Sequence, residues 1–250
     1  MNEYHILEKK ESKNYKYYKL EKNNQLFFAK QLRNDNSDNK ENLKNEISKY
    51  QCIKDLDFIP KIVEITKNTV IYEYVEGKTL DKYKNFTVNE SINILIQLAD
   101  ILEKLHQKRI VHCDIKPNNI MITKTGKIML LDFGNSRFIN EKTHFGTIKY
   151  CSIPQLQQKN VNTTFDIYPL GIMMYELLTG KKAYGNMNKK EIKEEKQKQN
   201  LKITSIVINM PKLTDIILEK MLGNNINDMY IDMKEVKKDL LLLKNKLSKV

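Results

Sequence analysis

The hydrophobic pattern of the chain changes near residue 87, and this change restricts the fold more than any other feature of the sequence. Before it lie four short segments rich in aromatic and β-branched residues, separated by Asn, Lys and Asp, as is typical of strands. They are YKYYKL, QLFFAKQL, KIVEIT and TVIYEYV. Between the second and third, Leu43, Ile47 and Tyr50 recur at helical spacing. This part of the chain therefore predicts a small β-rich lobe with a single amphipathic helix.

After residue 87 the pattern becomes helical. TVNESINILIQLADILEKLHQKR predicts a strong helix that Thr87 caps and Glu90 closes with a capping box. TTFDIYPLGIMMYELLTG predicts a buried helix that Pro169 is expected to kink and Gly180 to end. Two short strands, NIMIT and KIMLLDF, and two closing helices, LTDIILEKML and MKEVKKDLLLLKNKL, complete the pattern. The expected fold class is α+β, a β-rich lobe followed by a larger, mainly helical lobe.

Composition restricts the class of protein. The chain has 250 residues, of which 40% are hydrophobic and 30% charged, as expected for a folded protein with a substantial core. Its apolar runs are far shorter than the ~20 residues of a membrane span. The N-terminal segment MNEYHILEKKESKN lacks an apolar signal core, so we expect a cytoplasmic protein. Cys52, Cys113 and Cys151 have neither metal-ligand nor disulfide spacing, which predicts reduced thiols.

The net charge of +12 favours anionic partners such as phosphates, nucleic acid or acidic proteins. This charge is spread along the chain rather than concentrated. The densest cationic segment, KKEIKEEKQKQ, contains glutamates at helical spacing and is typical of a solvated helix face. The charge therefore permits a nucleic-acid partner, but no nucleic-acid-binding motif supports one.

The segment VHCDIKPNNIMI brings an acid, a cation and an amide close together in the sequence. Asp114 can accept a proton from a hydroxyl, Lys116 can neutralise a migrating phosphoryl group, and Asn119 can bind a metal ion through its amide oxygen. Further along, LLDFGNS puts Asp132 at the end of an apolar strand, where a carboxylate suits Mg²⁺. Phosphoryl transfer depends mainly on positioning and charge neutralisation, so these residues form a candidate catalytic site.

At these residues the sequence resembles the eukaryotic-like, or Hanks-type, serine/threonine protein kinase family. HCDIKPNNI resembles its catalytic loop, with the lysine of the serine/threonine type, and DFG resembles its metal-binding motif. The remaining motifs follow in the family's order over residues 5 to 245. They are FFAK for the third-strand lysine, IYEYVEG for the hinge, GTIKYCSIPQ for the end of the activation segment and DIYPLGIMMYELLTGKKAY for the central helix.

The resemblance implies a bilobal protein kinase that transfers the γ-phosphoryl group of ATP to serine or threonine of a protein substrate. It implies an antiparallel N-lobe at about 1–72, a hinge at 73–77 and a C-lobe at about 78–250. Tyr72 would be the gatekeeper. Catalysis would fall to Asp114 and Lys116, ATP binding to Lys30, Glu46, Glu73 and Val75, binding of Mg²⁺ or Mn²⁺ to Asn119 and Asp132, and structural support to His112, Phe133 and Asp166.

Two departures from the family pattern concern ATP. The stretch LEKKESKNYKYYKL, which corresponds to the glycine-rich phosphate loop, contains no glycine and is expected to bind phosphates less closely. Phe28 stands where the family usually has an alanine against the adenine ring, so it would crowd that pocket or stack differently. Both departures predict weakened nucleotide binding.

Two further departures concern regulation and the substrate platform. Cys113 replaces the arginine that pairs with a phosphate on the activation segment, which predicts activity independent of phosphorylation at Thr143 or Thr147. We interpret Cys113 as a small buried filler rather than a redox sensor. Gln155 and Met229 replace the glutamate and arginine of an ion pair. Because both ends are lost together, the change predicts a coherent structure.

The sequence leaves two alternatives to a protein kinase. One is a pseudokinase or scaffolding module with weakened ATP binding, favoured by the missing glycines and Phe28 and disfavoured by the intact set of lysine, two aspartates and asparagine. The other is a small-molecule kinase of related fold, which GTIKYCSIPQ disfavours because it resembles a protein-substrate platform.

Overall fold

The computed structural model describes residues 3–33, 37–142, 146–198, 200–223 and 227–248, apart from the side chain of residue 38. This part of the chain contains ten strands and seven α-helices. The strands are β1 (His5–Glu11), β2 (Tyr15–Lys22), β3 (Gln25–Leu32), β4 (Ile62–Ile65), β5 (Thr69–Glu73), β6 (Gly77–Thr79), β7 (Ile110–Val111), β8 (Ile120–Thr123), β9 (Ile128–Leu130) and β10 (Arg137–Phe138). The helices are α1 (Ser37–Ile53), α2 (Val88–Gln107), α3 (Ile153–Leu156), α4 (Thr164–Thr179), α5 (Lys189–Lys198), α6 (Leu213–Leu222) and α7 (Met233–Leu247).

The chain divides into two compact units. The first comprises Met1–Lys78 and Met121–Gly134, and the second comprises Thr79–Ile120 and Asn135–Val250. The chain therefore returns to the first unit after it has entered the second. The returning segment carries the DFG motif, so Asp132 belongs to the same unit as Lys30.

The first unit is built on an antiparallel sheet with the strand order β1-β2-β3-β5-β4. Strands β2 to β5 confirm the four segments predicted from aromatic and β-branched patterning. Strand β1 was not predicted, because all seven of its residues are exposed and it has no apolar alternation to detect. It is an edge strand held by its ladder with β2, and its charged residues suit that position.

Alternation along β2 and β3 determines which side chains share a face with Lys30. Successive side chains point to opposite faces of a sheet, and Tyr17 lies directly opposite Lys30. Tyr15, two residues from Tyr17, therefore shares this face, where it packs with Leu43 of α1. The opposite face carries a separate core of Tyr18, Leu20, Phe27, Ala29 and Ile71. The predicted helix thus covers the face that bears the lysine.

The second unit is mainly helical, as predicted. Helix α2 begins with the expected capping box, in which the Thr87 side chain accepts from the Glu90 backbone and Glu90 bonds back. Helix α4 contains Pro169 and ends at Gly180, which adopts the left-handed conformation with φ of 66°. Helix α2 packs against α4 and α7, and α4 packs against α6. No described helix combines the length and apolar character that crossing a membrane requires.

Candidate active site

Lys30 on β3 is bound by two carboxylates of its own unit. Its Nζ lies 2.7 Å from Oε2 of Glu46 on α1 and 2.8 Å from Oδ1 of Asp132. The Lys30 and Glu46 side chains are each 6% exposed, whereas the Asp132 side chain is 44% exposed. Glu46, rather than Glu41 of the same helix, is therefore the glutamate that contacts Lys30.

The charge of Lys30 is stabilised by its surroundings. Burial alone would lower the pKa of its ammonium group, but the carboxylates of Asp132 and Glu46 outweigh burial and raise the pKa well above its usual value. The ring of Tyr15 covers the ammonium, with 4.5 Å between Nζ and the ring centroid. Lys30 therefore presents a permanent positive charge suited to phosphate oxygens.

Tyr72 on β5 holds the second oxygen of Glu46. Its hydroxyl donates a 2.6 Å hydrogen bond to Oε1, so both carboxylate oxygens of Glu46 are engaged. Burial and the neighbouring Glu46 raise the pKa of Tyr72 well above its usual value, which keeps the hydroxyl a donor. The residue predicted as gatekeeper thus also orients the partner of Lys30.

Four aromatic rings follow one another on the face of the sheet that bears Lys30. The centroid distances are 6.2 Å for Tyr15 and Tyr17, 6.0 Å for Tyr17 and Phe28, and 6.3 Å for Phe28 and Tyr72. Tyr17 and Phe28 are stacked, with 19° between their planes, and Phe28 is 36% exposed. The Phe28 ring therefore packs against Tyr17 and Tyr72 of the two adjacent strands. Its exposed part presents an aromatic surface to solvent.

A short turn joins β1 to β2 within the glycine-free stretch. Only three residues, Ser12, Lys13 and Asn14, lie between the strands. The Ser12 backbone N–H donates to the Tyr15 carbonyl at 2.8 Å, and the Ser12 hydroxyl oxygen accepts from the Tyr15 N–H at 3.1 Å. This stretch is therefore mostly regular hairpin, with its turn closed by its own hydrogen bonds.

Asp132 occupies a strained backbone position. Its φ is 61°, in the left-handed region that costs a non-glycine residue about 1–3 kcal/mol. The next turn is fixed by the Asn45 amide of α1, which donates to the Gly134 carbonyl at 2.9 Å. Phe133 between them is buried. Backbone strain of this kind persists where the surrounding contacts fix the conformation. Here that conformation directs the Asp132 carboxylate toward Lys30.

The two predicted hinge residues lie at the end of β5 and just after it. Glu73, its last residue, donates its backbone N–H to the Lys61 carbonyl at 2.9 Å. Val75 is half-buried, and its backbone forms no hydrogen bond with any other residue in the described ranges. Its N–H and C=O are therefore available to an external donor and acceptor.

In the second unit, Asp114, Lys116 and Thr147 form a closed set of hydrogen bonds. Lys116 Nζ donates to Asp114 Oδ2 at 2.6 Å and to Thr147 Oγ1 at 2.9 Å. The Thr147 hydroxyl and backbone N–H in turn donate to Asp114 Oδ1 at 2.9 and 3.1 Å. A hydroxyl group is thus held between the carboxylate and the ammonium.

Two amides contact Asp114 from other positions. Asn119 Nδ2 donates to the Asp114 carbonyl at 2.9 Å and to Oδ2 at 3.3 Å. Asn135 Nδ2 also donates to Oδ2, at 3.3 Å. Because the nitrogen of Asn119 is the donor, its amide oxygen points elsewhere and can serve as a metal ligand.

Asp166 at the start of α4 supports the backbone of the same loop. Its two oxygens accept from the His112 N–H at 2.8 Å and the Cys113 N–H at 2.9 Å. His106 of α2 lies 2.9 Å from the same carboxylate. Asp166 and His112 are fully buried, and Cys113 has a φ of 63°, so these bonds stabilise a strained loop.

Cys113 is a packed apolar residue in the structure. It is 2% exposed, and burial raises the pKa of its thiol well above the usual value. Its carbonyl accepts a 2.6 Å hydrogen bond from Gln155 Nε2. A Cβ on Gly146 would lie 2.6 Å from the same carbonyl, so only glycine permits this approach. The Gln155 side chain therefore connects the segment GTIKYCSIPQ to the loop that carries Cys113 and Asp114.

Comparison with known proteins places this arrangement in a family. The family described as the protein kinase domain matches residues 11–244. The chain belongs to the protein kinase family. Its fold also matches a kinase, since the structure of the Cydia pomonella granulovirus kinase PK-1 superposes with a TM-score of 0.78 over 95% of this chain and 94% of that one, at 21% identity.

Relatives of this kinase-family chain carry serine/threonine kinase names. It is 26% identical to a probable serine/threonine-protein kinase PknB of Lactococcus lactis over 68% of its length and 29% of the relative's. It is 39% identical to serine/threonine-protein kinase PrkC of Bacillus subtilis over 45% of its length and 19% of the relative's. The chain therefore spans less than a third of these bacterial relatives.

Two contacts of this kinase-family chain were not predicted from its sequence. The Tyr72 hydroxyl reaches Glu46, and Asn135, which follows the DFG motif, reaches Asp114. The first pair is 26 residues apart and joins a strand to a helix, and no local pattern indicates it. Asn135 could have been proposed from its place directly after a predicted metal-binding motif, because an amide there is a candidate hydrogen-bond partner.

Proposed function

We propose that the chain is an ATP-dependent serine/threonine protein kinase. Asp114 accepts the proton of a substrate hydroxyl, whose oxygen forms the new bond to the γ-phosphorus of ATP. The bond between that phosphorus and the β–γ bridging oxygen breaks, and ADP leaves. Lys116 stabilises the negative charge of the phosphoryl group during transfer.

The position of the Thr147 hydroxyl carries this proposal. It donates to Asp114 Oδ1 at 2.9 Å and accepts from Lys116 Nζ at 2.9 Å. A substrate serine or threonine needs the same two neighbours, a carboxylate to orient its hydroxyl and a cation beside the entering phosphoryl group. The geometry therefore supports a hydroxyl as the acceptor.

Nucleotide binding is assigned to residues with suitable charge and donors. Lys30, oriented by Glu46, binds the α- and β-phosphates, while the Glu73 carbonyl and the Val75 backbone bind adenine. The amide oxygen of Asn119 and the carboxylate of Asp132 are hard oxygen donors that fit Mg²⁺ or Mn²⁺. When bound, the metal neutralises phosphate charge.

Activity that does not depend on phosphorylation of the activation segment follows from the burial of Cys113. A buried thiol offers no cation to a phosphate at this position. Thr143 lies outside the described residues, so its role is tested by Thr143→Ala alone. We expect that variant, and wild-type protein treated with phosphatase, to retain most of the activity. Loss of nearly all activity in both would contradict independence.

Transfer of labelled γ-phosphate to a protein acceptor tests the main proposal. With Mg²⁺ present, Asp114→Ala and Lys30→Ala should each lower the rate by roughly 10²-fold or more. Lys127→Ala is the matched control, since Lys127 is a surface lysine of the same unit as Lys30 and its ammonium pairs with the exposed Asp57. Equal labelling by wild type and Asp114→Ala would contradict the proposal.

The aromatic face supports a second candidate, a pseudokinase or scaffold that binds partners without turning over ATP. Tyr17 and Phe28 stack where an adenine ring would be expected to lie. This candidate predicts no label transfer and at most a weak nucleotide-dependent thermal shift. The kinase predicts label transfer and a clear thermal shift, so the same two measurements separate them.

A further inference from the structure

Lys196 on α5 is a buried lysine in a helix whose other lysines are exposed. It is 2% exposed, although the sequence KKEIKEEKQKQ predicted a solvated helix face. Burying a charged group costs free energy unless the group is paired or hydrogen-bonded. The position of Lys196 therefore has to be explained by its contacts.

The ammonium group of Lys196 has a complete set of acceptors. Its three N–H groups face the Cys151 carbonyl at 2.6 Å, the Lys149 carbonyl at 3.2 Å and the Tyr168 hydroxyl at 3.3 Å. The rings of Tyr168 and Tyr184 lie 4.6 and 4.7 Å from Nζ. Within the described ranges no carboxylate pairs with it, so carbonyl oxygens, a hydroxyl and ring faces are the groups that contact the ammonium.

The two carbonyls belong to the segment that presents Thr147. The N–H groups of Tyr150 and Cys151 donate to the Thr147 carbonyl at 2.8 and 3.0 Å, which closes a turn over residues 147–151. Lys196 donates to two carbonyls of this turn, those of Lys149 and Cys151. The turn therefore connects α5 to the hydroxyl that lies between Asp114 and Lys116.

Gln155, one of the altered ends of the family ion pair, belongs to the same platform segment, GTIKYCSIPQ. Its Nε2 donates to the Cys113 carbonyl at 2.6 Å. The contacts of Lys196 with the Lys149 and Cys151 carbonyls likewise need no acidic partner. Hydrogen bonds to neutral acceptors therefore connect both parts of this segment to the rest of the second unit.

We propose that Lys196 is a positioning residue for the protein substrate, acting through the 147–151 turn. The proposal rests on the proposed kinase function, because it concerns how the acceptor polypeptide meets Asp114. Lys196 touches no reacting atom. It fixes the backbone against which the segment flanking the acceptor hydroxyl lies.

Hydrogen–deuterium exchange of the full chain tests the contact without requiring catalysis. Lys196→Met removes the three donors and keeps the aliphatic stem, and Lys193→Met is the control from the exposed face of α5. We expect exchange at Tyr150 and Cys151 to rise at least tenfold in Lys196→Met and to stay at the wild-type rate in Lys193→Met. Unchanged exchange in Lys196→Met would overturn the proposal. Should that variant fail to fold, Lys196→Gln takes its place.

Steady-state kinetics distinguishes a positioning role from a purely structural one, because only positioning of the substrate changes KM for the acceptor selectively. Lys196→Met should raise KM for an acceptor peptide by roughly 10- to 100-fold and KM for ATP far less. A parallel rise in both constants would overturn the positioning role. A wild-type chain that transfers no phosphate would contradict the kinase function alone, and the exchange measurement would still decide the contact.

Discussion

The Tyr72 hydroxyl donates a 2.6 Å hydrogen bond to Oε1 of Glu46, whose other oxygen lies 2.7 Å from Lys30 Nζ. A strand residue, a helix residue and the phosphate-binding lysine are thereby linked in one buried chain of hydrogen bonds. The orientation of Lys30 depends on Glu46, and that of Glu46 depends on Tyr72. The Tyr72 hydroxyl is therefore expected to affect the orientation of Lys30 in the proposed nucleotide site.

Tyr72→Phe tests this link, because it removes the hydroxyl and keeps the ring. The buried Glu46 carboxylate would lose a charge-assisted hydrogen bond, so we expect a loss of about 1.5–3 kcal/mol in the free energy of unfolding. We also expect weaker ATP binding, since Lys30 would lose its alignment. Urea denaturation and nucleotide titration measure the two effects. Tyr17→Phe is the control, and an equal effect in both variants would contradict the link.

Phe28→Ala should strengthen nucleotide binding. The Phe28 ring is 36% exposed and stacks on Tyr17, so its removal opens space beside Lys30 at a modest cost in packing. We expect the Kd for ATP with Mg²⁺ to fall by about tenfold, equivalent to ~1.4 kcal/mol. Val63→Ala, which shortens an exposed apolar side chain on β4, should leave the Kd unchanged. Weaker binding in Phe28→Ala would show that the ring is itself a stacking surface for adenine.

The features that the sequence predicted depend on interactions between residues close together in the chain. The features that it missed depend on contacts between residues far apart in the chain. Helix α2 was predictable because its capping box lies within four residues and its apolar stripe is periodic. Strand β1 has no buried face, so only its pairing with β2 defines it. Lys196 looked solvated because its helix is rich in charge, whereas its acceptors lie 45 and 47 residues away in sequence. Contacts over such distances depend on tertiary packing, which local patterns do not encode.

Thr147 tests whether a hydroxyl between Asp114 and Lys116 is required. Thr147→Ser keeps the hydroxyl between Asp114 and Lys116, so we expect activity near that of wild type. Thr147→Val keeps the shape but leaves buried polar partners without their hydrogen bonds, so we expect kcat/KM to fall by roughly tenfold or more. Rates of phosphate transfer to a peptide measure both. Equal loss in the two variants would show that the hydroxyl is not the feature required.

The pH dependence of stability should reveal the buried ammonium of Lys196. Burial lowers its pKa to about 7 in the folded chain. The groups that face it are Tyr168, Tyr184 and Cys151, whose pKa values are all raised, to about 12 for Tyr184 and about 11 for Cys151. Between pH 7 and 9 these neighbours therefore keep one protonation state, and Lys196 alone among them titrates.

The sign of the effect follows from proton binding. Above pH 7 the folded chain has released the Lys196 proton while the unfolded chain, with its ordinary lysine pKa near 10.4, retains it, so stability rises with pH. From pH 7 to pH 9 the free energy of unfolding of the wild type should rise by about 2 kcal/mol relative to Lys196→Met. Urea denaturation of both proteins across this range isolates the difference, since all other titrating groups are shared. A constant difference would mean that Lys196 keeps its ordinary pKa, and that the carbonyls and tyrosine rings around it stabilise the charge fully.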